Sequence, residues 1–376
     1  MQQLPPVLEE RLKQWDRQGR LRTLSLGAGI DFSSNDYLGF ARDPVLRERL
    51  VGTILSSGVP FGSTGSRLLR GHSALFDEAE SVLAQFCSQE AALIYPSGFQ
   101  ANLGLLSALL AEGDLVFSDA RNHASLIDGI RLSRARKRIY STLDQLEEQL
   151  QEFASDPSFK LIVTESLFGM DGVKASLLEL SKLAERYGAY LVVDEAHATG
   201  IWGQFERLRG GGWAQSLGIS SRLLATLHTG GKALGLGGAW VACSHALKHY
   251  LVNASRPMIF STAPMPLLPL SLLVTLQYWQ SGVGPQRAVL LLKKAQSLGQ
   301  RLRVNVQDSP ILPLHIGENQ RSLEVAQKMQ HRGFDVRAIR PPTVPQGTAR
   351  LRVCVHAHHT EQDLERFAGA FAEALA

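Results

Sequence analysis

An α/β architecture, with a large mostly parallel sheet domain followed by a small α+β domain, is predicted by three features of the sequence. Short continuous apolar runs alternate with helical periodicity between residues 73 and 243. Strands that are apolar on both faces belong to a parallel sheet covered by helices on both sides. After a long helical stretch at 284–304 the order of strands and helices changes. The length, 376 residues, is too great for one ordinary core and fits two.

Taken in order, residues 7–18 read as a short amphipathic helix and 31–40 (DFSSNDYLGF) as a turn-rich loop. Helical periodicity covers 73–88. The run 91–95 (AALIY) is a buried strand that ends at Pro96-Ser97-Gly98, and a helix begins near Phe99. Strands follow at 114–117 (DLVF) and 161–165 (LIVTE), then a helix at 176–187 and a strand at 189–194 (AYLVVD) that runs into Glu-Ala-His. Another strand starts at 223–227, a glycine-rich turn follows, and 238–243 (GAWVAC) is the next strand. Beyond 284–304 come ILPLHI, a helix at 320–333, FDVRAI, LRVCVH and a helix from Thr360. The expected division is an N-terminal helix and loop segment at 1–45, a large domain at 46–280 and a small α+β domain at 281–376.

Hydrophobic residues make up 44% and charged residues 20% of the chain, an ordinary soluble composition. The net charge of +4 is spread along the sequence. The densest basic run, Arg131 to Arg138 (RLSRARKR), reads as a basic helix face, and it lacks the interleaved aromatics that stack on bases. No nucleic-acid partner is expected. Cys87, Cys243 and Cys354 are far apart and form no CxxC pair, which argues against a disulfide framework or zinc knuckle and for a reducing, cytoplasmic setting. The N-terminus has no apolar stretch of the signal-peptide kind. The most apolar segment, Met258 to Leu276, is interrupted by Pro264, Pro266 and Pro269, so no membrane span is expected.

Ligands in open α/β sheets sit at the carboxyl ends of the strands, and four polar clusters fall there. Ser97-Gly98-Phe99 can cap a helix and so expose an anion site, although a plain cap has the same sequence. Asp194 and His197 close a strand and suit a ring cation, a metal pair or a cap equally well. In 227–238 (LHTGGKALGLGG) a single lysine, Lys232, sits among glycines that let backbone and ligand approach closely. This run is neither a dinucleotide fingerprint nor a P-loop, because no acidic residue follows at the right spacing and Ala233 follows the lysine. His123 lies six residues beyond Phe117; a histidine there is more often structural. Together the four clusters supply an amine for an aldehyde, a carboxylate for a pyridine nitrogen, an anion site for a phosphate and a flat ring to stack on. Pyridoxal 5'-phosphate (PLP) requires all four.

Nearly the whole length resembles the α-oxoamine synthases, fold-type I PLP enzymes. The resemblance runs through DFSSNDYLGF at 31–40, GSTGSRLLRGH at 62–72, YPSGFQAN at 95–102, NHASLIDG at 122–129, TESLFGMDG at 164–172, VVDEAHATGIWG at 192–203, TGGKALG at 229–235 and FSTAPMP at 260–266. The run AIRPPTVPQGTARLRV at 338–353 resembles the branch that makes 8-amino-7-oxononanoate in biotin synthesis. The resemblance implies an aspartate aminotransferase-like PLP-dependent transferase with a seven-stranded large sheet. It implies decarboxylative condensation of L-alanine with a pimeloyl thioester, carried on CoA or a carrier protein, and a homodimer with the active site shared between subunits.

The resemblance also implies residue roles. Lys232 matches the lysine that joins the cofactor aldehyde, Asp194 the partner of the ring nitrogen, His197 the donor to the ring phenolic oxygen and His123 the histidine stacked on the ring; these four are the expected catalytic residues. Gly98 and Phe99 match the phosphate-binding turn, and Thr229 reaches the same phosphate. Ser261 and Thr262 match a segment that reaches the neighbouring subunit's phosphate. Asn35 and Arg352 match positions near the amino-acid carboxylate, and Arg340 and Thr343 lie in the acyl-substrate region. Two positions depart from the pattern. Gly169 stands where the family has serine, which removes a hydroxyl near the ring oxygen. Gly230 stands where it has phenylalanine and is expected to loosen the lysine loop. The near alternative is a sibling condensing enzyme such as glycine C-acetyltransferase. A non-catalytic subunit would lack the lysine, which is present. A metal site would use His356, His358 and His359; on a strand His356 and His358 face the same side and offer two ligands, with no third at metal spacing, so no metal is expected and a solvated strand end is the plainer reading.

Overall fold

The structure, a computed structural model, describes residues 4–306 and 308–376. The aliphatic runs form a seven-stranded sheet in the order Ala91–Tyr95, Ala239–Cys243, Ala225–Thr229, Tyr190–Asp194, Lys160–Glu165, Leu115–Asp119, Arg136–Tyr140. Neighbours from Ala225–Thr229 to Arg136–Tyr140 pair in parallel, and Ala239–Cys243 runs antiparallel to both of its neighbours. Alternate residues feed two cores. Leu161, Val163 and Val192 join one with Leu105, Leu126 and Val241, while Ile162, Leu191 and Val193 join the other with Leu146, Leu177 and Leu180. Burial on both faces is why these strands read as unbroken apolar runs.

The basic run at 131–138 is not one helix face. Arg131 lies in the last turn of the helix Ala124–Ser133, Arg134 caps it in the left-handed region (φ 62°), and Arg136–Tyr140 is the outermost strand with Arg136, Lys137 and Arg138 exposed. Charge along an edge strand discourages pairing with another chain, and here it also masks the strand pattern in the sequence.

The chain divides into two compact units. One comprises Asn35–Gly169 and Val173–Leu290 and contains the large sheet. The other comprises the chain up to Ser34, Met170–Gly172 and Leu291–Ala376. The N-terminal segment therefore groups with the C-terminal one, and the later boundary falls within the helix Gly284–Leu302. In this second unit Arg337–Ile339, Ala349–Cys354 and Ile311–Gly317 form an antiparallel sheet. FDVRAI divides at Val336: Phe334–Asp335 pairs with Ile30–Asp31, and Arg337–Ile339 pairs with Ala349–Cys354. Thr360 and Asp363 form a capping box on Glu361–Leu375.

The histidine run is not a solvated strand end, since the strand stops at Cys354 and His356 and His359 are buried. His359 stacks on Phe32 at 4.1 Å. Its Nε2 donates to the Asp31 carbonyl (2.9 Å), and its Nδ1 accepts the His356 N–H (3.1 Å). Both ring nitrogens of His359 are thus committed to backbone, and the run pins the N-terminal segment to its own unit. No helix among the described residues is long and apolar enough to cross a membrane.

Two buried carboxyl groups of the large unit are held differently. Glu80 meets Arg67, which is itself buried, together with Lys248 Nζ (2.7 Å) and the Ile94 N–H (2.9 Å). Glu80→Ala removes the carboxylate from a buried guanidinium and is expected to cost about 3–5 kcal/mol, read as a lower urea midpoint. Glu195 accepts the N–H groups of Trp213 (3.0 Å) and Ala214 (2.7 Å). Burial pushes its carboxyl up from the ordinary 4.5 to about 7. The folded state therefore holds this proton more tightly than the unfolded chain. The associated stability is complete below about pH 4.5 and lost as pH rises through about 7. Glu195→Gln is expected to flatten that part of the stability profile, measured by urea unfolding across the interval.

Candidate active site

Because the central strands are parallel, their carboxyl ends share one edge of the sheet, and the loops beyond them enclose a cavity of about 200 Å³. Seven expected residues line it: Gly98, Phe99, His123, Asp194, His197, Thr229 and Lys232. Asn102, Ser125, Glu165, Ala196 and Leu227, which the sequence did not single out, complete the wall.

Each group is positioned by local structure. Ser97 is extended, and its Oγ accepts the Gln100 N–H (3.3 Å), so the helix Gly98–Leu109 starts at the cavity. A helix N-terminus carries partial positive charge and free N–H groups, which suits an anion. Asp194 ends its strand, where Oδ1 accepts the Ala196 N–H (2.8 Å) and Oδ2 accepts Asn102 Nδ2 (2.7 Å). Asn102 Nδ2 also donates to Ser125 Oγ (3.0 Å), while Asn102 Oδ1 is buried without a partner among the described residues.

Glu165 ends the adjacent strand, in register with Asp194. Its Oε1 accepts the His123 N–H (2.7 Å). Burial, reinforced by the neighbouring Asp194, pushes its carboxyl up to about 8. Burial also lowers the His123 imidazole, with Asp194 opposing and Lys232 adding to the effect. His123 Nδ1 accepts the Ser125 N–H (3.2 Å) and lies 2.8 Å from Ser125 Oγ. His197 Nδ1 lies 2.7 Å from the Tyr37 hydroxyl, which donates to Asn35 Oδ1 (3.1 Å). Asn35 is thus linked to the site through Tyr37.

The lysine loop is braced rather than loosened. Gly230 N–H donates to the Gly238 carbonyl (3.0 Å), Leu236 N–H to the Gly230 carbonyl (2.8 Å) and Gly235 N–H to the Lys232 carbonyl (2.9 Å). Thr229 Oγ1 donates to the Gly238 carbonyl (3.0 Å) and accepts the Gly231 N–H (3.1 Å). A side chain at Gly230 would put its Cβ 2.5 Å from the Gly237 carbonyl oxygen. Glycine at 230 is what allows this tight closure.

The remaining expected residues are not among those lining this cavity. Ser261 and Thr262 line a smaller cavity with Arg67, Tyr95 and Pro264. Arg352 is buried in the second unit, with Nη1 2.9 Å from Cys354 Sγ. In that same unit Arg340 donates to the Gly19 carbonyl, and Thr343 Oγ1 accepts from Arg22 (3.4 Å).

A primary amine, a fixed carboxylate, a helix N-terminus and an imidazole around one cavity fit an aldehyde-bearing, phosphorylated pyridine. The orphaned Asn102 Oδ1 adds an acceptor with no partner among the described residues. Known proteins agree. The family model for aminotransferase class I and II matches residues 28–371. An 8-amino-7-oxononanoate synthase of Bordetella petrii is 42% identical, over 91% of this chain and 87% of its own. One from Lysinibacillus sphaericus is 39% identical, over 89% and 85%. Among solved structures, serine palmitoyltransferase of Sphingomonas wittichii superposes with a TM-score of 0.87 at 25% identity, covering 98% of this chain and 96% of that one. The 8-amino-7-oxononanoate synthase from Francisella tularensis gives 0.75 at 27% identity, covering 92% and 97%. The architecture is that of the fold-type I PLP-dependent transferases. This chain is therefore an enzyme that belongs to the aminotransferase class I and II family and, within it, to the 8-amino-7-oxononanoate synthases.

Proposed function

We propose that the enzyme binds PLP at Lys232 and joins L-alanine to a pimeloyl thioester, on CoA or a carrier protein, giving 8-amino-7-oxononanoate, CO2 and the free thiol of CoA or the carrier. The observation that carries this reading is the single cavity containing Lys232, Asp194, His123 and the N-terminus of Gly98–Leu109. Lys232 Nζ would hold the cofactor's aldehyde, and Asp194 would keep a proton on its ring nitrogen. His123 would lie against the ring, and His197 would donate to its phenolic oxygen. Gly98, Phe99 and Thr229 would take the phosphate. When bound, PLP takes up the negative charge that develops at the amino acid's α-carbon.

The protein's own work is placement and proton movement. Asn102 and the Ala196 N–H fix both oxygens of Asp194. Glu165, protonated near neutrality, adds no second negative charge beside it. Once the alanine amine has displaced it from the aldehyde, the free Lys232 Nζ would remove the proton from the alanine α-carbon and return one after CO2 leaves, a general-base role worth roughly 10²–10⁴-fold. Substrate contacts by Asn35, Arg352, Arg340 and Thr343 belong to the same proposal; an arginine fork suits a carboxylate. The pimeloyl branch is favoured over its siblings by sequence relatives at 39% and 42% identity.

We propose further that the enzyme is a homodimer in which Ser261 and Thr262 complete the partner's site. Phe61, Leu69 and Phe260 are 76%, 86% and 72% exposed. Their segments adjoin, with the Ala263 N–H on the Gly65 carbonyl (2.9 Å) and Ser63 Oγ on the Pro264 carbonyl (2.6 Å). Large apolar side chains grouped at a surface mark an interaction site.

The expected result for the cofactor is a visible absorbance band in the PLP-loaded protein that borohydride abolishes and that Lys232→Ala lacks. L-alanine should perturb the band, and alanine with pimeloyl-CoA should release CoA. A response confined to glycine or serine would move the function to a sibling enzyme, and no band in the parent protein would overturn the cofactor reading. For the dimer, sedimentation should give twice the chain mass, and Leu69→Asp should shift it toward one chain; a parent protein of one-chain mass refutes it.

A further inference from the structure

We infer that Gly169 and Tyr37 are positioning residues for His197, which occupies the space that any side chain at 169 would fill. A Cβ built on Gly169 would lie 2.3 Å from His197 Nε2, 2.9 Å from Cδ2 and 3.0 Å from Cε1. Atoms in ordinary packing contact stand about 3.5–4.0 Å apart. The backbone at 169 is not in the left-handed region, so glycine is needed here for room and not for conformation.

The atoms met all belong to the His197 ring, so it is the imidazole that a side chain at 169 would displace. Tyr37 is fully buried, and its hydroxyl lies 2.7 Å from His197 Nδ1. Nε2 is the ring nitrogen nearest Gly169. On the other side the Gly169 N–H is bonded to the Glu165 carboxyl, which also takes the His123 N–H (2.7 Å). The loop carrying Gly169 is therefore tied to the strand end. A ring clasped between a buried phenol and a glycine backbone keeps one orientation at the cavity wall.

The inference deepens the PLP reading of this cavity, but its first readout is independent of that reading. In full-length protein labelled with 15N-histidine and given no cofactor, Gly169→Ala, Gly169→Ser and Tyr37→Phe should each shift the ring resonances and titration midpoint of His197. The signal is identified by its loss in His197→Gln, and His245 serves as the unmoved reference. The second readout is PLP binding. Gly169→Ala should weaken it about tenfold, the scale of one lost hydrogen bond. Gly169→Ala added to His197→Ala should weaken it no further, because removing the imidazole opens the space. Unchanged His197 resonances in Gly169→Ala and Tyr37→Phe would overturn the inference, as would additive losses in the double variant. Should the parent protein not bind PLP, the cofactor reading fails and the resonances alone decide. Tyr37→Phe, which adds no atom, decides the matter if the variants at 169 do not fold.

Discussion

Asp194 and Glu165 end adjacent parallel strands in register, and two carboxyl groups so placed in a dry site cannot both ionise cheaply. The structure gives them different surroundings. Asp194 receives two donors, one from the loop that follows it and one from Asn102 on a helix. Glu165 is left to burial, which with its neighbour's influence pushes its carboxyl up to about 8. One acid is thereby equipped to face a cation in the cavity, while the other braces the wall. The brace reaches both flanks, because Glu165 takes the N–H of His123 and that of Gly169. The backbone at His123 and the backbone at Gly169 are thus both held by the Glu165 carboxyl.

Close backbone approach is the second recurring theme. At Gly235 (φ 65°) a Cβ would lie 2.3 Å from the Ala41 backbone nitrogen, so the loop following Lys232 packs against the segment after Phe40 without space for a side chain. At Gly230 the obstacle is a carbonyl of the same loop. Glycine normally costs order through its conformational freedom, which is why Gly230 reads as a loosening in the sequence. Here the missing side chain admits backbone hydrogen bonds that hold the amine-bearing turn, so the local outcome opposes the propensity.

Much of this was legible in the sequence. The strand runs AALIY, LIVTE and YLVVD fall within a residue or two of their observed ends, because burial on both faces leaves an unbroken apolar signature. Seven site residues follow from reading what lies just past those ends. Glu165 escaped because it looks like any polar residue closing a strand; its importance comes from standing beside Asp194, and strand order is not a property of spacing. Asn102 escaped because one amide on an apolar helix face carries no motif. The strand Arg136–Tyr140 was hidden by its charges, and the burial of His356 and His359 depends on Phe32 and Asp31, more than 300 positions away in sequence.

The structural likeness and the sequence likeness also divide the physical argument. The superposition is tighter with serine palmitoyltransferase (TM-score 0.87) than with the Francisella 8-amino-7-oxononanoate synthase (0.75), although the identities are 25% and 27%. Closeness of superposition does not follow the acyl donor, since strand ends at fixed spacing can hold an amine, an acid and an anion site whatever that donor is. Fold likeness therefore bears on how an amino acid is activated and says little about which one. The residues expected to read the acyl chain, Arg340 and Thr343, lie outside the large sheet, after the strand Arg337–Ile339 in the second unit. Their surroundings are loop contacts to Gly19 and Arg22, which a sheet does not constrain and which can change without disturbing the strand ends. Under the proposed function, substrate choice and carbanion chemistry are then separable. That separation accounts for one scaffold serving sibling condensations, and for the assignment to the pimeloyl branch resting on 39–42% sequence identity and not on shape.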